Sequence, residues 1–214
     1  KFFSEIEGVD GLVLMSQAGM EGGNALADIL TGKTTPSGKL TDTWAKNYSD
    51  YPAATTIGDN DGDNKQEDYK EGIYVGYRYF DSFDKKVLFP FGFGLSYTSF
   101  EIKCCGMNME EGKLRAEVQV TNTGKKYVGK EVVQIYDTLP QTGLEKEYKR
   151  LAGFAKTRLL KPEETQTLIV EISQKQLASF CEETHTWIIE KGSYGILIGN
   201  SSDKLEQEAV LVIS

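Results

Sequence analysis

Apolar and polar residues alternate along short runs through the second half of the chain. A period of two in β-branched and aromatic residues predicts β-strands, and such runs cover residues 100–104, 114–120, 131–136, 151–157, 165–172, 187–190, 194–198 and 209–213. Turn residues separate the runs, as at Asn122-Thr123-Gly124. About seven short strands joined by turns are typical of an immunoglobulin-like β-sandwich, so we expect this half to be all-β.

Another alternating run precedes an aromatic block in the middle of the chain. Ile73, Val75, Tyr77 and Tyr79 share one parity, which predicts a strand. In the block that follows, residues 88–94 (LFPFGFG), a proline and two glycines interrupt the aromatic residues and exclude a regular central strand. A contiguous aromatic patch needs a surface to cover it. We therefore predict a buried, irregular hairpin at a junction.

The first forty residues have the pattern of an α/β unit. The apolar run Gly11–Ser16 predicts a strand buried on both faces. A glycine-containing loop follows, with Asn24 as the predicted N-cap of a helix and Gly32 as its C-terminal glycine. Strand, loop and helix form one unit of a doubly wound sheet, and one such unit is too small to fold alone.

Four segments of the chain, taken in order, resemble the C-terminal domain of the family 3 glycoside hydrolases, the β-glucosidase family. They are EGGNALADIL (21–30), PSGKL (36–40), EGIYVGYRYFD (71–81) and LFPFGFGLSYTSFEI (88–102). In that family the last segment leads directly into a fibronectin type III-like domain. Several motifs in the family's order make a far more specific signal than any one of them.

The resemblance implies a mainly β fold made of two parts. Residues 98–214 are expected to form the immunoglobulin-like (fibronectin type III-like) β-sandwich. Residues 1–97 are expected to be the C-terminal part of the family's α/β sandwich domain, a partial remnant with an extended linker.

The resemblance also implies an activity, the hydrolysis of β-glucosides or β-xylosides with retention of configuration. The family's nucleophile is an aspartate in an N-terminal (β/α)8 barrel, which needs roughly 250 residues of its own. Its acid/base glutamate usually lies ahead of the segment matched here. We therefore assign no catalytic residue, and expect a structural role for this chain and no activity in isolation. The carbohydrate substrate would be bound through the barrel domain.

Glu21 is the candidate substrate-binding residue. It follows the apolar run, in the kind of loop where open α/β sheets bind ligands, and it lies next to a helix N-terminus. One interpretation is contact with a sugar or with the barrel domain. The other is a carboxylate that stabilises the start of the helix by a few tenths to about 1 kcal/mol.

The alternating run also carries charged and aromatic candidates. Arg78 is predicted to form a buried ion pair with Asp81 or Glu71, of the kind that fixes a junction. Three aromatic residues have the chemistry to stack on sugar rings, although burial between domains is their expected use: Tyr74, Tyr77 and Phe91.

Charge and composition limit the partners. A net charge of −8 and a pI near 4.9 argue against nucleic acid and anionic membranes, and no apolar run reaches transmembrane length. Neutral sugars remain compatible, and a homodimer is possible. The odd cysteine count argues against a disulfide framework and favours a reducing compartment such as the cytoplasm; the cysteines are Cys104, Cys105 and Cys181.

We expect neither a metal nor a cofactor. The single histidine, His185, excludes a multi-histidine metal site. The acidic stretch 59–68 resembles a calcium loop in composition only. If Gly62 takes the sixth position of such a loop, Ile57 takes the first, where a carboxylate is required. No phosphate-binding motif accompanies Gly22-Gly23.

A different class of function stays open, a carbohydrate-binding or adhesion module built on the sandwich. Such a module needs exposed aromatic platforms. The aromatic residues of this half mostly lie within alternating strands, which favours burial: Tyr136, Phe154, Trp187 and Tyr194.

Overall fold

The computed structural model describes residues 8–56 and 69–213. The helices are α1 (Gly22–Leu30) and α2 (Tyr77–Ser82), with short 3₁₀ turns at Tyr48–Asp50 and Gln174–Leu177. The strands are β1 (Trp44–Ala45), β2 (Val87–Phe89), β3 (Phe100–Glu110), β4 (Lys113–Asn122), β5 (Val132–Thr138), β6 (Lys149–Lys156), β7 (Thr165–Ser173), β8 (Ser179–Cys181), β9 (Thr186–Ile188), β10 (Gly192–Ser201) and β11 (Lys204–Ile213). No helix in the described ranges is long and apolar enough to cross a bilayer.

Seven of these strands form the sandwich. One antiparallel sheet has the order β3-β4-β7 and the other has the order β11-β10-β5-β6. Strands β1 and β2 pair separately, as do β8 and β9 in a small hairpin. The predicted mainly β fold with a fibronectin type III-like sandwich is confirmed.

The core lies between the two sheets and follows the alternation of the sequence. On β4, Leu114, Ala116, Val118 and Val120 are buried, and the residues between them are more exposed. The sheets approach closely at Gly153, where a Cβ atom would lie 2.9 Å from Val170 Cγ1. Other inward residues complete the cluster: Val133, Ile135, Ala152, Leu160, Leu168, Val170, Ile172, Ile196 and Ile198.

Helix α1 ends where the sequence predicts it, but it begins about one turn before the predicted start. Gly32 has φ +73°, and its N–H donates to Ile29 O, so the predicted C-terminal glycine is confirmed. The predicted N-cap was wrong. Glu21 takes that place because its carbonyl accepts from Ala25 N, which puts Asn24 inside the first turn.

The predicted strand Gly11–Ser16 is absent from the structure. The described residues provide no neighbouring strand for it, and a single strand leaves its backbone unpaired. Its apolar side chains are about half exposed, at 46% for Leu12 and 56% for Leu14.

The predicted strand at residues 73–79 is also wrong, because the chain forms a turn and then helix α2. Gly76 has φ +58°, which redirects the backbone. From there Phe80 N donates to Gly76 O and Phe83 N donates to Tyr79 O, which places Tyr77 and Phe80 on the same face. The acidic stretch 59–68 lies outside the described residues.

The core predicts a clear contrast between two isoleucines. Ile135 is fully buried between the sheets, while Ile169 on β7 is 42% exposed. Ile135→Ala should lower the free energy of unfolding by about 2–5 kcal/mol, since it removes buried methylene groups and leaves a cavity. Ile169→Ala is the matched control and should cost under about 1 kcal/mol. Urea melts measure both, and equal losses would contradict this placement of the core.

Candidate functional site

The outer face of the sheet β11-β10-β5-β6 is covered by residues from the first half of the chain. Gln134 and Tyr136 on β5 point away from the sandwich core, yet they are only 4% and 0% exposed. Tyr77 of α2 covers them, with its ring centroid 5.7 Å from that of Tyr136 and 5.0 Å from that of Phe91. We call this contact of α2 and residues 90–93 with the sheet the junction.

Backbone hydrogen bonds fix the junction. Ser202 N donates to Phe91 O at 2.9 Å, and Gly92 N donates to Leu40 O at 2.8 Å. The Tyr77 hydroxyl accepts from Leu151 N on the edge strand β6 at 2.9 Å. In the predicted aromatic block, Pro90 and Gly92 are buried, and Phe89, Phe91 and Phe93 are half-buried. The predicted hairpin does not form, because β2 pairs with β1 and the preceding segment is helical.

Gly92 is the point of closest approach. It has φ +80°, and a Cβ atom there would lie 2.3 Å from Gln134 Nε2. Gln134 cannot easily yield, since its Nε2 donates to Asn200 O and its Oε1 accepts from the Tyr136 hydroxyl at 2.6 Å. A side chain at position 92 would therefore separate the two surfaces.

Lys149 is the central cation of the junction. Its side chain is 9% exposed and lies 3.3 Å from the Asp81 carboxylate of α2. The ammonium group also donates to Ser202 O and lies 5.8 Å from the Tyr136 ring centroid. One side chain thus connects α2, the β10–β11 turn and the sheet face. Burial raises the pKa of Asp81, and Lys149 opposes that rise.

Arg78 has a different partner from the predicted ones. Its Nε lies 3.6 Å from Glu147 Oε1, rather than bonding Asp81 or Glu71. Helix α2 lies along β6. Its Arg78 therefore faces Glu147, and its Asp81 faces Lys149. Burial disfavours ionisation of Glu147, but hydrogen bonding from Arg150 outweighs it and the pKa of Glu147 is lowered.

Arg150 joins the junction to a crossover segment of the sandwich. Its Nε donates to Glu147 Oε1 at 2.8 Å. Its terminal nitrogens donate to the carbonyls of Gln176 and Ala178 and to Ser179 Oγ. The guanidinium group therefore holds the segment between β7 and β8 against β6.

Asp137 is a buried carboxyl group beside this arginine. It pairs across strands with Arg150 and is 0% exposed. Among the described residues, no side chain or backbone group, Arg150 included, hydrogen-bonds to either carboxyl oxygen. Burial raises the pKa of Asp137 from 3.8 to about 7, although Arg150 opposes the shift.

Glu21, the predicted substrate-binding residue, lies at the exposed start of α1. Its carboxylate accepts a hydrogen bond from Asn24 Nδ2 rather than from a backbone N–H of the first turn. Contact of Glu21 with a sugar stays a prediction. Of the aromatic candidates, Tyr77 and Phe91 are packed in the junction, and Tyr74 packs on Phe83 at 4.9 Å.

The chemistry of the junction is structural. Glycoside hydrolysis needs two carboxyl groups that can reach the bond, whereas Asp81 and Glu147 are bound to cations and Asp137 is sealed in the core. Within the described ranges, no group of three potential metal ligands comes together. The sequence analysis missed Asp137, Lys149 and Arg150. The signal that could have identified them is a charged residue at a position within a predicted apolar strand.

Asp137 generates a prediction about pH. Because its folded pKa of about 7 exceeds the ordinary 3.8, the folded state holds a proton that the unfolded state releases. This contribution to stability is complete below about pH 4 and is lost as the pH rises to about 7, at up to about 1.4 kcal/mol per pH unit. Asp137→Asn should flatten the dependence in urea melts at pH 4 to 8.

Asp42→Asn is the matched control, since it neutralises an exposed carboxylate away from the junction charges. It should leave the slope unchanged. An Asp137→Asn protein with the slope of the parent would contradict the assignment of a buried, protonated Asp137.

Two family models match the sequence. Residues 2–77 match the glycosyl hydrolase family 3 C-terminal domain, and residues 131–202 match the fibronectin type III-like domain.

Curated relatives match nearly the whole chain. Beta-glucosidase A of Butyrivibrio fibrisolvens is 40% identical, over 94% of this chain and 26% of its own length. A beta-glucosidase of Kluyveromyces marxianus is 39% identical, over 95% of this chain and 24% of its own length. The chain thus spans about a quarter of these relatives.

Solved structures give the same result. Beta-glucosidase 3B from Thermotoga neapolitana, determined in complex with α-D-glucose, superposes with a TM-score of 0.85 at 39% identity. The match covers 92% of this chain and 27% of that protein. Both family models, the relatives and the fold agree, and the chain belongs to the family 3 glycoside hydrolases, with residues 2–77 matching the C-terminal domain and residues 131–202 matching the fibronectin type III-like domain.

Proposed function

We propose that this chain is the C-terminal structural part of a β-glucosidase-like enzyme that hydrolyses β-glucosides or β-xylosides with retention of configuration. The observation that carries the proposal is the junction, in which Tyr77 of α2 packs on Phe91 and on Tyr136, and Tyr136 of the sandwich is fully buried. The chain itself lacks the nucleophile and does no chemistry alone. Binding of the carbohydrate and hydrolysis belong to the barrel domain.

The relatives support the substrate class. Those of Butyrivibrio fibrisolvens and Kluyveromyces marxianus are both beta-glucosidases, and the Thermotoga neapolitana structure contains α-D-glucose. Each is about four times the length of this chain, which leaves ample room for a catalytic barrel.

Exposed apolar side chains support a scaffold role. Leu12, Val13 and Leu14 are 46–56% exposed, and Met20 is fully exposed. A contiguous apolar surface of this kind marks an interface. We assign it to packing against the remainder of the α/β sandwich domain, where Gly11–Ser16 would acquire the neighbouring strands that it lacks here.

We place the boundary between the two domains after residue 97. Thr98 Oγ1 donates to Asn122 Oδ1 at 2.6 Å, and β3 begins at Phe100, so residues from 98 onward already bond within the sandwich. The family models support a boundary in the interval between residues 77 and 131.

A chimera tests the proposal. This chain would replace the matching quarter of the Thermotoga neapolitana enzyme, and hydrolysis of an aryl β-glucoside would be followed together with the configuration of the released sugar. We expect no turnover by the 214-residue chain alone and retaining hydrolysis by the chimera. A purified chain that hydrolyses the aryl β-glucoside by itself would contradict the proposal.

Two glycine variants of the chimera separate scaffold from chemistry. Gly92→Ala forces a Cβ atom against Gln134, whereas Gly106→Ala adds one in open space. Gly92→Ala should lower the melting temperature, and KM of the folded fraction should stay unchanged because no sugar contact is lost. Gly106→Ala should change neither quantity. A raised KM in Gly92→Ala would show that the junction acts on substrate.

A further inference from the structure

Two large aromatic side chains are exposed together on the β8–β9 hairpin. Phe180 and Trp187 are direct cross-strand partners, and they are 46% and 69% exposed. Their ring centroids lie 5.6 Å apart at an interplanar angle of 64°. The alternation of the sequence predicted burial of Trp187 and of Phe154, and both predictions were wrong, since Phe154 is 68% exposed.

The hairpin is held firmly on the sandwich. Ser179 is buried and accepts from Arg150 Nη2 at 3.2 Å. Cys181 is 5% exposed, and Leu177 just ahead of the hairpin is 2% exposed. The inward face of the hairpin is therefore anchored, while the outward face presents the two rings. A ligand would bind to side chains that are already ordered and would lose little entropy in fixing them.

The charge of the chain suits a neutral ligand. The Thr184 and Thr186 hydroxyls lie 2.8 Å apart, but Thr186 pairs with the buried Cys181 and therefore lies on the other face of the hairpin from Trp187. The two rings alone therefore form the proposed contact. The net charge of −8 disfavours anionic polymers.

We propose that Phe180 and Trp187 form a stacking platform for the sugar rings of a β-linked glucose oligosaccharide. The choice of sugar rests on the proposed function, and the platform itself rests on the exposed, anchored hairpin. Each ring of the pair presents a flat apolar surface to the apolar face of a pyranose, and the indole N–H adds a polar contact. Binding to so open a surface is weak, with a dissociation constant on the order of 1 mM.

Tryptophan fluorescence tests the platform on the intact 214-residue chain. The chain has two tryptophans, and Trp44 packs on Phe89 away from the hairpin, so Trp187 dominates any change caused by surface binding. Titration with cellopentaose should give a saturable change, and maltopentaose, its α-linked counterpart, should bind more weakly. Trp187→Ala should weaken binding at least about tenfold in calorimetry, and Trp187→Phe should retain most of it.

Phe154→Ala is the matched control, because Phe154 is 68% exposed but lies on β6 without an aromatic cross-strand partner. It should bind cellopentaose like the parent. Circular dichroism confirms that each variant is folded. The proposal is overturned if the folded parent binds no cellopentaose, or if Trp187→Ala binds it equally well. Concentration-dependent dimers in light scattering that disappear in Trp187→Ala would also overturn it, since a second copy would then occupy the face.

The platform and the proposed function fail separately. Hydrolysis by the chimera depends on the barrel and the junction, whereas the titration measures binding by this chain alone. A negative titration with an active chimera removes the platform only. An inactive chimera with a positive titration that is lost in Trp187→Ala leaves the platform in place.

Discussion

Burial of Tyr136 on the outside of its sheet is the constraint on which the rest of the structure depends. An isolated sandwich would leave this face in water, but here Tyr136 and its neighbour Gln134 are buried by Tyr77, Phe91 and Gly92. Covering the face removes a large aromatic surface from water, at roughly 25 cal/mol per Å². Residues 77–93, the tail that precedes the sandwich, and the sandwich itself therefore stabilise each other.

Two ion pairs set the orientation of α2 in this apolar contact. Lys149 meets Asp81, and Arg78 meets Glu147, so α2 has one orientation along β6 in which both pairs form. Breaking such a pair leaves a buried charge and is costly, even though the pair itself contributes little net stability. Arg150 extends the network from Glu147 to the segment before β8, which connects the junction to the hairpin that carries Phe180.

The sequence predicted the parts of the fold that follow from simple periodicity. The alternation in β4 matches its buried positions because one face of that strand packs on the core. The two-residue period predicted a strand at residues 73–79, and that prediction was wrong. Aromatic residues stand at both odd and even positions there, and such a sequence is compatible with a short helix as well as with a strand. Gly11–Ser16 failed because a strand requires a partner that the described chain does not provide. The junction charges could not be paired in advance, because each ion pair depends on how α2 meets β6. Trp187 has strand alternation, but its hairpin belongs to neither main sheet.

Amide hydrogen exchange tests the central claim, that the tail and the sandwich unfold as one unit. The informative amides are those of Leu40, Gly92 and Ser202, which donate across the junction and its approach. Their opening free energies should lie within about 1 kcal/mol of that of Ile135 in the core, since a cooperative unit opens globally. Exchange of these three amides at the rate of an open loop, while Ile135 stays protected, would contradict the account.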